Sequence, residues 1–397
     1  MNFFESLSNF RNIYFIILIG LIVRLIFVFF FPDQNFPDAQ AYRNIGIEIF
    51  SGKQITNDIS MPLYPIITYI AGSVTSQRLL DLFFSLISIW LIFKISYKLF
   101  ANLRAAYVAS IFSTFYPHFI FYSISGLTET FFTLLILCAF YFFYSRAIFL
   151  GIIFLALSVL VRPTLDFLNP IILLLFTGVV HQYSFKKTLM FQLIYFLVYV
   201  FFMTPWWIHQ YSKYGEFVRL NLGDGIVLYS GNNPLNESGG GVGRKNGKSD
   251  MDLSQFQSID NPIQRNYELK RAAYDYIVEN PSRFVELGIK KFFRFWRLWP
   301  YADEYKSHQI IISSILSYGL VLFLSIGFFY KRHIGFKEIS PIIALIVYLT
   351  LVHTVTISSI RYRFPIEPFL IIFGTFQLTR INSFKPLLDF VFRSKKS

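Results

Sequence analysis

The chain has 397 residues, of which 54% are hydrophobic and 20% aromatic against 15% charged, an apolar share well beyond that of soluble domains. That balance excludes an ordinary soluble enzyme and predicts an all-α polytopic membrane protein. The net charge of +13 does not imply a nucleic-acid partner, because the basic residues flank hydrophobic runs instead of forming a stripe on a soluble fold.

A helix crosses a bilayer in about 17 to 25 mainly apolar residues. On that measure about ten transmembrane helices follow in chain order, near 13–31, 78–99, 105–122, 127–144, 148–161, 167–183, 188–205, 308–330, 338–357 and 363–380. The fifth is short enough to be extended or re-entrant. The first is long, contains Arg24 and is followed by no small-residue cleavage site, so it reads as a retained anchor and not a signal peptide. Cys138, the single cysteine, lies inside an apolar run, which leaves no disulfide framework and no thiol-rich metal site.

Lys and Arg gather on the cytoplasmic side of membrane proteins. With both termini inside, that side receives Arg11, Lys94, Lys98, Arg104, Arg146, Lys186, Lys187, Lys331, Arg332, Lys337, Arg380, Lys385, Arg393, Lys395 and Lys396. The short outer segments receive only Arg43, Lys53, Arg78, Arg162, Arg361 and Arg363. Three parts follow: an N-terminal transmembrane module, 1–205; an extracytoplasmic segment, 206–305; and a C-terminal transmembrane module, 306–397.

The first outer loop, 32–77, has Ala41, Ile45 and Ile49 at helical spacing, with Tyr42 and Phe50 nearby and polar Gln40, Arg43, Asn44 and Glu48 between them. An amphipathic helix on the membrane surface suits this pattern. Gly52 could end it, and Met61-Pro62-Leu63-Tyr64-Pro65 restarts an apolar stretch to Ala71, too short to span. In 206–305, Ser230-Gly231-Asn232-Asn233-Pro234 through Gly247 reads as loop. From Pro262 to Trp299 helical periodicity returns, with Tyr267, Ala273, Tyr276, Ile277, Phe284, Leu287 and Phe292 as candidate buried positions.

The unusual polar residues fall at one membrane face. Asp38, just after the first span, can act as a general base toward an acceptor hydroxyl, or cap the following helix. Arg361 and Arg363 present forked donors that match phosphate oxygens, or snorkel to the interface; Arg162 has the same two readings. Glu129 can complement a helix N-terminus, or orient a sugar hydroxyl or an arginine. His118, His209, His308 and His353 lack a short ligand spacing, and Asp38 lacks an acidic neighbour, so no metal is implied. Gly239-Gly240-Gly241-Val242-Gly243 lacks the Lys-Ser/Thr ending of a phosphate loop.

The order of motifs carries more. A first span, then Asp38-Ala39-Gln40-Ala41-Tyr42, Ser51-Gly52, Met61-Pro62-Leu63-Tyr64-Pro65 and Arg78-Leu79-Leu80, resembles the amino-terminal half of GT-C glycosyltransferases. The branch it is most similar to contains protein O-mannosyltransferases and lipid A aminoarabinose transferases. The resemblance continues through Phe115-Tyr116-Pro117-His118-Phe119, Leu127-Thr128-Glu129-Thr130, Leu160-Val161-Arg162-Pro163, Thr204-Pro205-Trp206, Tyr214-Gly215-Glu216-Phe217, Ser230 to Pro234 and Arg361-Tyr362-Arg363-Phe364-Pro365.

This resemblance implies transfer of a sugar from a polyprenyl-phosphate donor to an acceptor outside the cytoplasmic membrane without a nucleotide sugar; direct displacement at the anomeric carbon would invert that centre. It puts the base at Asp38, donor-phosphate contacts among Arg361, Arg363, Arg162 and Arg78, and substrate-positioning roles at Tyr42, Tyr64, His118 and Glu129. The implied partners are membrane lipids, the polyprenyl-phosphate sugar and a glycolipid, glycan or protein acceptor. Two departures stand out. Protein mannosyltransferases commonly carry Asp-Glu where this chain has Asp38-Ala39, and Met61 replaces the basic or proline residue often found before Pro-Leu-Tyr. A lipid or glycan transporter, or a glycan-binding receptor, is the alternative class.

Overall fold

The computed structural model describes residues 3–31, 36–51, 59–240, 244–245, 248–301, 307–331 and 335–381, and the side chains of 13–31 in the first of these. Arg11, Gly52, Lys53, Gly241 to Gly243, Gly247, Arg332, Lys385, Arg393, Lys395 and Lys396, named above, lie outside what is described. The fold is helical, with one antiparallel pair of two-residue strands, Arg244–Lys245 and Lys248–Ser249.

The first helix, α1 (Phe3–Phe30), is followed by α2 (Pro37–Ser51) and α3 (Leu63–Ala71), the two short helices of the first outer loop. Gly46 lets α2 and α3 touch: a Cβ there would run into the Pro65 carbonyl and come within 2.9 Å of Tyr69 Cβ. The long α4 (Val74–Phe100) starts at an N-cap, where Ser73 Oγ accepts from Ser76 N at 3.1 Å, satisfying one orphan donor.

The span expected at 105–122 is interrupted. Helix α5 (Leu103–Phe115) ends before Tyr116-Pro117, and α6 (Pro117–Tyr122) restarts from the proline. Proline supplies no N–H and pushes its predecessor out of helical dihedrals; Tyr116 has ψ 117°. Arg24, fully buried in α1, fastens the break: its guanidinium donates to Ser85 Oγ at 2.9 Å and to the carbonyls of Thr114 at 3.1 Å and Ser113 at 3.5 Å. A cation on the last carbonyls of a helix complements its dipole.

Helices α7 (Thr128–Tyr144), α8 (Ile148–Val159), α9 (Leu168–Leu174) and α10 (Phe185–Tyr214) complete the N-terminal module. Segment 206–305 contributes α11 (Asp224–Gly231), α12 (Ser254–Gln257), α13 (Pro262–Glu279) and α14 (Pro281–Phe295). Ala273 and Leu287 are buried as expected, but Tyr267 and Phe292 are exposed, at 61% and 43%. The reason is that the exposed faces of both helices are themselves apolar, with Tyr274 and Val278 on α13 and Val285, Ile289 and Phe293 on α14, so hydrophobic spacing there does not mark the packed side.

The C-terminal module is α15 (His308–Ser314), α16 (Leu320–Lys331), α17 (Phe336–Val355), α18 (Ile360–Arg363) and α19 (Glu367–Thr379). Among the described residues five helical stretches are long and apolar enough to cross a membrane: Ile13–Phe30, Val74–Phe100, Phe185–Tyr214, His308–Lys331 and Phe336–Val355. Shorter apolar helices cover Thr128–Tyr144, Ile148–Val159 and Leu168–Val180. These three are packed on many sides, so helix length rather than hydropathy separates them from the longer set.

Candidate functional site

Asp38 sits in the first turn of α2, after Pro37, and so is not the cap of that helix. An acidic side chain in a first turn complements the helix dipole, and half of the Asp38 side chain, 51%, stays exposed. Its Oδ2 accepts from Arg361 Nη1 at 2.5 Å, across 323 positions of sequence. Arg361 lies in the short α18, whose N-cap Ser359 accepts from Arg361 N at 3.3 Å.

Glu129 joins this pair to a second arginine. Fully buried at the start of α7, it accepts through Oε1 from both Arg361 Nε and Arg162 Nη2, while Arg162 Nε donates to Thr128 Oγ1 at 2.7 Å. Glu129 Oε2 has no hydrogen-bond partner. Two carboxylates and two guanidinium groups therefore interlock, with formal charges that cancel. Burial works against the Arg361 charge, yet Glu129, Tyr42 and Asp38 beside it more than reverse this, so its pKa lies above the usual arginine value.

A cavity of about 210 Å³ opens beside Asp38, lined also by Tyr42, Arg162, Pro163, Ser60 and Asn221. Tyr42 stands edge-on to Tyr64, with ring centroids 5.4 Å apart. Tyr64 is buried behind it and donates to Asp81 Oδ2 at 2.7 Å. Gln77 bridges Tyr64 OH and the Gly126 carbonyl, each at 3.3 Å, and accepts from Arg43 Nη1 at 3.3 Å. Tyr64 thus supports the cavity wall from behind.

Arg363, His118 and Arg78 lie elsewhere. Residues two apart on a helix point to opposite faces, and Arg363 turns away from Asp38. It donates to Glu367 Oε1 at 2.7 Å and to the carbonyls of Phe295 at 2.8 Å and Arg297 at 2.6 Å, and stacks 3.5 Å from the Tyr318 ring. His118 Nδ1 meets the same Glu367 at 3.0 Å. Arg78 donates to the carbonyls of Phe27 at 3.2 Å and Phe31 at 2.8 Å, at the end of α1. Of the nine candidates, Asp38, Arg361, Arg162, Glu129 and Tyr42 come together, Tyr64 backs them, and the other three fasten helices.

Segment 206–305 positions Arg361 from behind. Asn232 Nδ2 donates to the Val355 carbonyl at 3.0 Å, and Lys291 Nζ donates to Asn232 Oδ1 at 2.9 Å and to that same carbonyl at 3.0 Å. Arg294 Nε reaches the Ser358 carbonyl at 2.8 Å. Gly231 packs on the Thr356 carbonyl so closely that a Cβ would collide with it. The Ser230 to Pro234 motif therefore holds the 355–358 strand of chain that delivers Arg361, a role that its reading as a plain loop missed.

No family profile matches the chain, and no curated protein matches it in sequence. Among solved structures it is similar to the Archaeoglobus fulgidus oligosaccharyltransferase in the apo form, with a TM-score of 0.57 at 14% identity. The match covers 100% of this chain and 53% of that one. The archaeal oligosaccharyltransferase AglB from Archaeoglobus fulgidus, in complex with an inhibitory peptide and a dolichol-phosphate, gives 0.54 at 12% identity with 100% and 53% covered. ArnT from Cupriavidus metallidurans bound to undecaprenyl phosphate gives 0.49 at 12% identity with 94% and 61% covered. The chain thus shares its fold with the Archaeoglobus fulgidus oligosaccharyltransferase while spanning about half that protein's length.

Proposed function

We propose that this chain is a membrane glycosyltransferase that moves a sugar from a polyprenyl-phosphate donor to an acceptor hydroxyl, with inversion. The observation that carries this reading is a cavity lined by Asp38 and Arg162, with Arg361 paired to Asp38 at its edge. A shared fold hosts many activities, so the argument rests on the site, and the motifs common with GT-C enzymes supply the donor class.

In this mechanism the donor phosphate takes the place of Asp38 on Arg361, with Arg162 beside it. Exchange of one anion for another keeps the guanidinium paired and releases the carboxylate. Asp38 then removes the proton of the acceptor hydroxyl as that oxygen bonds to the anomeric carbon and the carbon–oxygen bond to phosphate breaks. The electron pair leaves on the phosphate, where the two arginines stabilise the developing charge. Glu129 holds both guanidinium groups and touches no reacting atom.

The test is purified protein in lipid, given an undecaprenyl-phosphate sugar and an envelope extract as acceptor source. Release of undecaprenyl phosphate, absent in Asp38→Asn protein, is the expected result. Movement of the intact donor across a vesicle without cleavage would instead establish a transporter.

A further inference from the structure

The lining of the cavity is chemically mixed. Asp38 and Arg162 carry charge, and Arg361 is paired to Asp38; Ser60 and Asn221 are uncharged, and Ile59, Met61 and Pro163 add apolar surface. A phosphate and a sugar ring make opposite demands. The anion requires guanidinium donors, whereas a neutral ring requires uncharged hydrogen-bonding groups for its hydroxyls and apolar surface for its C–H face.

We infer that Ser60 and Asn221 form the sugar-recognition wall of the site, as specificity-determining residues, and that Arg219 positions that wall. The inference rests on the glycosyl-transfer reading above and assigns residues that the sequence motifs do not include.

The wall is held from several sides. Asn221 Nδ2 donates to the Ile59 carbonyl, and Gly223 lies so near that a Cβ would come within 2.8 Å of Ile59 Cγ2. The two neighbouring tryptophans of α10 grip the same stretch: Trp206 Nε1 donates to the Leu220 carbonyl at 2.6 Å, and Trp207 Nε1 to the Arg219 carbonyl at 2.7 Å. Arg219 pairs with the buried Asp166 at 2.5 Å and sits 5.0 Å from the Phe167 ring. The other Asp166 oxygen accepts from Tyr199 OH at 2.7 Å. Side-chain order of this kind costs entropy on every residue held, and here it fixes a short stretch whose Asn221 lines the same cavity as the candidate base.

The experiment measures dissociation constants of the full-length protein in nanodiscs for bare undecaprenyl phosphate and for undecaprenyl phosphate carrying mannose, glucose or arabinose. At least one sugar-bearing lipid should bind wild type about tenfold tighter than the bare lipid, and Asn221→Ala and Ser60→Ala should each bring that ratio toward one. Their affinity for bare lipid, which reports the charged groups Arg162 and Arg361, should stay within about twofold of wild type. Because Arg219 acts through Asn221, the Arg219→Ala/Asn221→Ala protein should lose no more of the ratio than either single variant. Asn221→Gln should restore part of it. Variants that keep the full ratio overturn the inference, as does bare-lipid binding with no preference for any of the three sugars. Failure of wild type to bind any of these lipids would instead overturn the glycosyl-transfer reading itself.

Discussion

Arg361 is shared between two carboxylates that differ in exposure: Glu129 is buried, whereas half of Asp38 meets solvent. Only the exposed partner can be exchanged for a ligand at small cost, since stranding a buried charge costs about 3–5 kcal/mol. Asp38→Asn should therefore lower turnover by about 10²- to 10⁴-fold, the usual worth of a general base, while lipid-phosphate binding persists; turnover at the wild-type rate in folded Asp38→Asn protein contradicts the assignment. Arg361→Ala should weaken undecaprenyl phosphate binding by about 30-fold, the scale of a charged hydrogen bond, measured by titration in nanodiscs. Asp38, Arg162 and Arg361 are legible in the sequence because ionisable groups at the ends of apolar runs are rare and seldom face lipid. Arg361 and Arg363 cannot be told apart there, because only the helical turn between them sends one to Asp38 and the other to Glu367. Asp81 and Asp166 escape notice for a simpler reason: each is a single acid in an apolar stretch, and the partners that give it meaning, Tyr64 and Arg219, are far off in the chain.

The elements that deliver these residues depend on close contacts. Gly231→Ala would push the 355–358 stretch away from α11 and displace Arg361 without altering any cavity residue, so donor affinity should fall while the far wall keeps its contacts. Unchanged donor affinity in Gly231→Ala protein would show that the outer segment does not position α18. Lys291, on α14, adds a pH dependence. Burial lowers its pKa to about 7, against about 10.4 in an unfolded chain. Between these values the unfolded chain binds the additional proton, so stability rises with pH across that window. The thermal midpoint should climb from about pH 7 to about pH 9, and Lys291→Met should flatten the rise; a flat wild-type profile contradicts the buried-lysine account. The long helices were readable from apolar runs, but α11 and α12 lie in a stretch where no helix was expected. The break at Tyr116-Pro117 was missed: the proline marks it, but the long apolar run around it reads as one unbroken span over 105–122.

Across the whole molecule the fold was the most legible property, since composition, span length and motif order all point to one membrane architecture and the solved structures share it. The outer segment was least legible: its apolar spacing is real, yet α14 turns much of that surface outward. The orientation expected from the distribution of Lys and Arg has a direct check. In a Cys138→Ser background, Glu237→Cys should react with a membrane-impermeant maleimide added to intact cells, and the exposed Arg146→Cys should react only after permeabilisation. Labelling of both from the same side would contradict the arrangement.

The account depends above all on sugar transfer by the Asp38 cleft, and the most direct measurement is mass spectrometry of the envelope from cells carrying wild-type or Asp38→Asn protein at equal levels. One envelope component should lose the mass of a single sugar residue in the Asp38→Asn cells. Identical envelope masses in the two strains would contradict it.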